Sequence, residues 1–160
     1  MRAVIAQQLS GKAAQTIHDR VVALVGGVET LSPATLGAVD PVALRAAGLS
    51  RQKVSYLLDL SAHVGDGRLN LDALEDLPDA EVITAITAVK GFGVWSAQMF
   101  LMFRLNRADV FPVGDLGIVK GVQKLFGMKK RPSPRTMARL AEPWRPYRSV
   151  AAWYLWRILE

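Results

Sequence analysis

The segment that most strongly restricts the fold is VKGFGVWSA, residues 89–97. Apolar residues recur at helical spacing after Leu77-Pro78-Asp79 and again from Val94 to Phe103. The two glycines, one residue apart, allow a tight turn with positive φ and a close approach to another surface. We therefore predict a helical hairpin whose second helix points its free N–H groups outward, an arrangement that suits a phosphate. An ordinary turn with glycine as the C-cap is the alternative.

The rest of the chain is also predicted to be helical. Typical helix starts, with a capping side chain or a first-turn proline, occur at Ser10, Ser32-Pro33, Asp40-Pro41, Ser50 and Ser133-Pro134. Glycines that end helices occur at 26–27 and 48. No alternation typical of a strand persists for more than a few residues. The sequence therefore predicts an all-α fold with about eight to ten short helices.

Composition favours a polyanionic partner. The 160 residues contain 20 Lys and Arg against 14 Asp and Glu, which gives a net charge of +6. A basic balance of this kind suits nucleic acid, although a generically basic protein is an equal alternative. The length corresponds to one domain, or to two small lobes that share a core.

The absence of cysteine excludes several kinds of site. With no Cys in the sequence, no disulfide, thiolate metal site or iron–sulfur cluster is possible. We expect no signal peptide, because the first residues run directly into the polar pair Gln7-Gln8. The apolar runs are too short for a membrane span. These features are typical of a cytoplasmic protein.

One carboxylate follows the hairpin at a position that suggests chemistry. Asp115 lies in FPVGDLGI, residues 111–118, and the chain has only two histidines. A DNA-binding hairpin followed by one placed acid indicates chemistry on a nucleotide rather than binding alone. The alternative role of Asp115 is to cap a helix, for which Asp is also well suited.

Taken together, residues 90–97 and 110–117 resemble the helix-hairpin-helix DNA glycosylases, most closely the alkylation-repair branch, 3-methyladenine DNA glycosylase II. Three more stretches agree with that family, at residues 5–10, 47–53 and 144–149. The resemblance implies a two-lobed helical bundle in which residues 1–160 form a single glycosylase domain, with the hairpin at about 80–103. It also implies that this chain lacks the N-terminal extension of longer relatives.

The resemblance implies a monofunctional DNA glycosylase that starts base excision repair. Such an enzyme flips alkylated purines, 3-methyladenine or 7-methylguanine among them, out of duplex DNA and hydrolyses the N-glycosidic bond. Asp115 is then the catalytic carboxylate, which stabilises positive charge on the deoxyribose or orients the attacking water. Trp95 stands where bifunctional relatives have a lysine, so no Schiff base and no strand cleavage are expected. The alternative is a non-catalytic DNA-damage binding module on the same scaffold.

The resemblance also assigns binding residues. A pocket for a cationic base is expected from Trp95, Trp156, Tyr147 and Trp144, since indole attracts cations. With Trp153 and Tyr154 these make six aromatic residues, of which we expect at least two to be structural only. The expected DNA contacts are Gln8, Lys53, Lys90, Gly91, Gly93, Val94, Ser96 and Arg148. Gln8 corresponds to the residue that fills the gap left by the flipped base, and Arg148 has the alternative of pairing with an internal acid.

No cofactor is expected beyond a structural monovalent cation. Relatives bind Na or K through hairpin carbonyl oxygens, which implies Val89 and Gly91 as its ligands here. The expected partner is double-stranded DNA with alkylated bases. The protein is expected to be a cytoplasmic monomer, associated with the nucleoid in the case of a prokaryote, and to have no membrane contact.

Overall fold

The computed structural model describes residues 1–7 and 9–160, and every regular element in these ranges is a helix. The predicted all-α class is therefore confirmed. The chain divides into two compact units, which are described separately. The N-terminal unit comprises Met1–Leu77 and Thr84–Phe92, and the C-terminal unit comprises Pro78–Ile83 and Gly93–Glu160.

Five helices and a short 3-10 turn account for most of the N-terminal unit. They are α1 (Arg2–Ala6), α2 (Gly11–Leu24), α3 (Pro33–Gly37), α4 (Pro41–Ala46), α5 (Arg51–Gly65) and the turn Ala73–Glu75. The predicted caps Ser10, Ser32, Asp40 and Ser50 each accept a first-turn N–H with the side chain. The central helix is α5, which packs against α1, α3 and α4.

Four helices belong entirely to the C-terminal unit. They are α7 (Val94–Phe103), α8 (Leu116–Leu125), α9 (Pro134–Ala141) and α10 (Arg148–Arg157), with a 3-10 turn at Glu142–Trp144. The remaining helix, α6 (Asp79–Thr87), is the first helix of the predicted hairpin. Sequence periodicity did not predict either 3-10 turn, since a single turn is too short to show a repeat.

The contact between α8 and α10 sets the geometry of the C-terminal unit. Ile118 and Val122 are buried on α8, and Ala152 and Leu155 are buried on α10. A Cβ added at Gly121 would overlap the backbone of Leu155, so only glycine allows the two helices to approach this closely. This approach brings the end of α10 toward the first turn of α8.

Candidate active site

Asp115 is the N-cap of α8. Its Oδ1 accepts the N–H of Ile118 at 2.8 Å, and the residue is only 9% exposed. The capping role that the sequence left as an alternative is therefore present. Capping uses one lone pair of Oδ1 and leaves the other lone pair and Oδ2 for other partners.

Two indole N–H groups complete the surroundings of this carboxylate. Nε1 of Trp95, on α7, donates to Oδ2 at 2.7 Å, and Nε1 of Trp156, on α10, donates to Oδ1 at 2.9 Å. Asp115 appears in none of the ion pairs formed by residues 1–7 and 9–160. The carboxylate is thus oriented by neutral donors from three helices, and its charge is not neutralised by a Lys or Arg.

Gly117 makes room for one of these indoles. A Cβ on Gly117 would lie 2.7 Å from Cδ1 and 2.8 Å from Nε1 of Trp156, closer than side-chain carbons normally approach. The indole also stacks on Phe103, with ring centroids 5.9 Å apart and planes at 27°. The ring of Trp156 is therefore confined between α8 and α7, with its N–H aimed at Asp115.

The segment that leads to Asp115 is anchored to the start of α10. Oγ of Ser149 accepts the N–H of Val110 at 2.9 Å and donates to the carbonyl of Arg107 at 2.6 Å. The guanidinium of Arg148 donates to both carboxylate oxygens of Asp109, at 2.6 and 2.9 Å. These bonds fix the chain a few residues before the carboxylate.

Arg148 therefore takes the second of the two roles that the sequence allowed for it. Its side chain is 16% exposed and is paired with an internal acid rather than open to a phosphate. This pairing lowers the pKa of Asp109, chiefly through the hydrogen bond from Arg148. Arg145 donates to the same carboxylate at 2.7 Å.

The other predicted pocket aromatics have different surroundings. Trp144 packs edge-on against Phe111 and stacks on Phe126, with centroids 5.7 and 6.4 Å apart. Tyr147 is exposed at the N-cap of α10. Neither side chain has a hydrogen bond to Asp115 within the described ranges. Of the four predicted pocket residues, the structure brings Trp95 and Trp156 to the carboxylate.

In the N-terminal unit, the first half of the hairpin is held by α5. Gly91 has φ +84°, and a Cβ there would overlap the ring of Tyr56. Oδ2 of Asp59 accepts the main-chain N–H of Lys90 at 2.8 Å. Phe92 packs against the core of this unit. Gly91 is thus required both by its backbone conformation and by the aromatic ring that covers it.

In the C-terminal unit, α7 begins with an uncapped N-terminus. Gly93 is the N-cap, and no side chain accepts its first-turn N–H groups within the described residues. Gly93 has a φ of −95°, and a Cβ there would meet nothing within 4 Å. Neither the backbone conformation nor internal packing therefore requires glycine at 93. Val94 is exposed and Ser96 is partly buried in the same turn.

The predicted basic DNA contacts differ in accessibility. Nζ of Lys53 donates to the carbonyls of Ile5 and Gln7 at 2.7 and 2.6 Å, and desolvation by burial lowers its pKa. These bonds tie α5 to the end of α1. The side chain of Lys90 is mostly exposed, with Nζ 3.9 Å from Asp59. Gln8 lies outside the described residues.

The carbonyl groups proposed for a monovalent cation each have one intramolecular partner. The oxygen of Val89 accepts the N–H of Phe92 at 3.2 Å, and that of Gly91 accepts Nε2 of Gln7 at 3.1 Å. A carbonyl oxygen has two lone pairs, so each retains one for another partner. Neutral oxygen donors are chemically suited to Na or K, and the residues present fit such an ion.

Sequence reasoning missed the residues that support the site. Gly117 lies in the segment 110–117 but was assigned no role, whereas Asp109, Tyr56 and Asp59 lie outside every segment quoted for the resemblance. Their contacts with Trp156, Arg148, Gly91 and Lys90 join positions more than 20 residues apart. The one local sign for Gly117 is its low helix propensity. Glycine stands two residues after the cap, where a helix-favouring residue is the usual choice.

Comparison with known proteins identifies the family. The family model of the HhH-GPD superfamily base excision DNA repair protein matches residues 1–146. The chain is 34% identical to DNA-3-methyladenine glycosylase 1 of Schizosaccharomyces pombe, over 98% of this chain and 69% of that protein. It is 32% identical to the putative DNA-3-methyladenine glycosylase YfjP of Bacillus subtilis, over 100% of this chain and only 58% of that protein.

Solved structures agree with the sequence comparison. A DNA-3-methyladenine glycosidase from Bacillus halodurans superposes with a TM-score of 0.88 at 41% identity, covering 98% of this chain and 71% of the other. The S. pombe 3-methyladenine DNA glycosylase Mag1, in complex with abasic DNA, superposes with a TM-score of 0.82 at 34% identity, covering 98% and 76%. The resemblance found in the sequence is confirmed: the chain belongs to the HhH-GPD superfamily of base excision DNA repair proteins.

Proposed function

We propose that this protein is a monofunctional DNA glycosylase that flips alkylated purines, such as 3-methyladenine and 7-methylguanine, out of duplex DNA and hydrolyses the N-glycosidic bond. The observation that carries the proposal is the Asp115 carboxylate, buried and oriented by the N–H groups of Trp95 and Trp156. The names of the similar proteins, DNA-3-methyladenine glycosylases, support this substrate class.

The chemistry requires one carboxylate and favours a cationic base. As the C1′–N bond breaks, its electron pair leaves with the base and positive charge develops on the sugar. Asp115 stabilises that charge electrostatically. Water then adds to C1′ and releases a proton, which the carboxylate accepts and passes to solvent. A base made cationic by alkylation leaves as a neutral molecule, so it needs no second group to protonate it.

The indoles next to Asp115 favour a cationic base. Trp95 is 50% exposed, so one part of its ring is available to a ligand while its N–H holds Oδ2. The face of an indole attracts a cation, and a desolvated contact of this kind contributes about 2 kcal/mol. We assign stacking to Trp95 and to the accessible part of Trp156. Tyr147, which is exposed, is proposed as an outer contact, and Trp144 as a support of the pocket.

Trp95 also determines the type of reaction. Its indole nitrogen is not a nucleophilic amine, so no Schiff base forms at C1′. The product of the proposed reaction is therefore an abasic site in an intact strand, which other enzymes of base excision repair would process.

DNA is proposed to bind through the hairpin and the start of α7. The free N–H groups of Val94, Trp95 and Ser96 suit a phosphate oxygen, and the absence of a side chain at Gly93 leaves space for it. Lys90 and the main chain at Gly91 are proposed as further backbone contacts. Gln8 is proposed to fill the gap left by the flipped base.

Three further properties belong to the proposal. A Na or K ion bound to the carbonyls of Val89 and Gly91 would stiffen the hairpin. DNA affinity measured in K⁺ and in tetramethylammonium at equal ionic strength tests this cation site.

We propose a monomer that acts on DNA in the cytoplasm or nucleoid. None of the helices in the described ranges combines the length and apolar character needed to cross a bilayer.

Release of free base from methylated duplex DNA tests the proposed function. The protein is incubated with duplexes that contain 3-methyladenine, 7-methylguanine, 1-methyladenine or ethenoadenine, and released bases are separated by chromatography. We expect release of methylated purines and strand breaks only after alkali treatment. Tight binding without release from any of these duplexes would instead identify a damage-binding module.

A further inference from the structure

The positive charge of this protein is concentrated in one segment. Between Asp115 and Glu142 the chain has no acidic residue and seven cationic ones: Lys120, Lys124, Lys129, Lys130, Arg131, Arg135 and Arg139. The rest of the chain contains the other 13 of the 20 Lys and Arg residues and all 14 Asp and Glu residues, so its net charge is close to zero. We call residues 120–139 the basic segment.

All seven cationic side chains of the basic segment are exposed. On α8, Lys120 and Lys124 are one turn apart, on the side opposite the buried Ile118 and Val122. None of the seven belongs to an ion pair within residues 1–7 and 9–160. Nζ of Lys124 donates to the main-chain carbonyl of Ile158 at 2.6 Å, which is a neutral partner and leaves the positive charge uncompensated. The charge of the basic segment is therefore available to an external anion.

The same separation of faces holds on α9. Met137 and Ala141 are buried, whereas Arg135 and Arg139 lie one turn apart on the other side. Between the two helices, Lys129, Lys130 and Arg131 form an exposed tripeptide. Exposed single cations that are spread over two helices and the loop between them suit an extended polyanion better than one small anion.

The basic segment begins on the helix that Asp115 caps. With a rise of about 1.5 Å per residue, Lys120 lies roughly 7 Å along the axis from Asp115 and Lys124 roughly 13 Å. Measured along the axis of a duplex, each strand has one phosphate about every 3.4 Å. A duplex that runs along α8 with the sugar of the damaged nucleotide at Asp115 would therefore place phosphates about two to four nucleotides away near these lysines.

We propose that the basic segment is a second DNA-contact surface, which binds the phosphate backbone that flanks the lesion. The proposal rests on the function proposed above, because it places the sugar of the damaged nucleotide at Asp115. These side chains hold the duplex by charge and carry no base specificity. Their contribution is to affinity and its salt dependence, and the hydrolytic step does not depend on them.

Two triple variants with equal loss of charge test this surface. The first is Lys129→Gln with Lys130→Gln and Arg131→Gln. The matched control is Lys12→Gln with Arg20→Gln and Arg45→Gln, three exposed residues elsewhere in the chain. Affinity for a duplex with a non-hydrolysable abasic-site analogue is measured from about 50 to about 200 mM salt, the range over which phosphate contacts change affinity strongly. Thermal melting confirms that both variants fold.

Each phosphate contact contributes about 0.9 to the slope of log affinity against log salt, so three lost contacts lower it by about 2.7. Raising the salt over that range should then weaken the wild type roughly 40-fold more than the first variant. The control variant should keep the wild-type slope. A fall of less than about 0.9 in the first variant, or equal falls in both, would overturn the proposal.

Trimming the duplex provides a second readout. The duplex is shortened to about three base pairs on one side of the lesion at a time. On the side that the basic segment contacts, this should remove distant phosphates and lower the affinity of the wild type, whereas the affinity of the first variant should change little. Equal sensitivity of both proteins to trimming would also overturn the proposal. Base release at saturating enzyme is recorded in parallel: if the slope changes as expected but the wild type releases no base, the surface stands and the proposed enzymatic function fails.

Discussion

The variant Gly117→Ala should disturb the hydrogen bonding of the Asp115 carboxylate while the protein remains folded. Gly117 is the second residue of α8, and its added Cβ would lie 2.7 Å from the indole of Trp156. Carbon atoms pack at about 3.5 Å or more, so the ring must move by roughly 0.8 Å. A movement of that size directed away from Asp115 extends the 2.9 Å hydrogen bond to about 3.7 Å, beyond the range of a hydrogen bond.

The expected effect on the reaction is larger than the effect on folding. A hydrogen bond to a charged group contributes about 1.5–3 kcal/mol. If that contribution is made in the transition state, base release slows by about 10- to 150-fold. Overpacking costs about 1–3 kcal/mol of stability, and the better helix propensity of alanine offsets up to about 1 kcal/mol of this. The protein should remain folded.

Single-turnover base release at saturating enzyme measures this effect without a contribution from DNA affinity. Gly11→Ala is the matched control, because Gly11 is also in the first turn of a helix but has nothing within 4 Å of an added Cβ. Trp156→Phe keeps an aromatic ring without the N–H and should reproduce the loss. A folded Gly117→Ala protein with a rate within about threefold of wild type, a difference of only about 0.7 kcal/mol, would refute the reasoning.

Three further outcomes are expected. Gly93→Ala should weaken DNA binding with little change in melting temperature. Gly91→Ala should destabilise the fold by more than about 2 kcal/mol, because Gly91 has positive φ and the Tyr56 ring lies against it. Equal melting temperatures of the two variants would contradict this. Asp109→Asn should lower the melting temperature at neutral pH but not in acid. The pKa of Asp109 is lowered in the folded state, so its contribution is complete above the unfolded value of about 3.9 and is lost as the pH falls through the folded value. A difference from wild type that does not shrink as the pH falls below about 3.9 would count against the pairing. Borohydride should trap no covalent adduct with DNA, since Trp95 has no amine; a trapped adduct would show that another residue acts as the nucleophile.

Features that depend on local sequence were predicted well. Each capping residue is next to the helix that it caps, so Ser10, Ser50 and Ser133 could be identified from the sequence. The structure shows the capping role of Asp115, and the proposed catalytic role is compatible with it, because capping uses one lone pair of one oxygen. A carboxylate has enough acceptor sites for both.

Features that depend on distant residues were not predictable in the same way. The sequence shows that Lys53 and Arg148 are basic, but only the folded chain shows that carbonyl groups of α1 and the carboxylate of Asp109 are their partners. The need for glycine at 117 likewise depends on an indole 39 residues later in the chain. Such contacts are set by how helices pack, and local propensity carries no information about that packing.

Asp115→Asn tests the central claim most directly, because asparagine also caps helices well and should leave α8 intact. Asp40→Asn, at the cap of α4, is the matched control for a capping aspartate without a proposed role in the reaction. We predict that Asp115→Asn abolishes release of methylated purines while affinity for abasic-analogue DNA persists, and that Asp40→Asn releases base at the wild-type rate. Release by Asp115→Asn at a rate close to that of wild type would contradict the account.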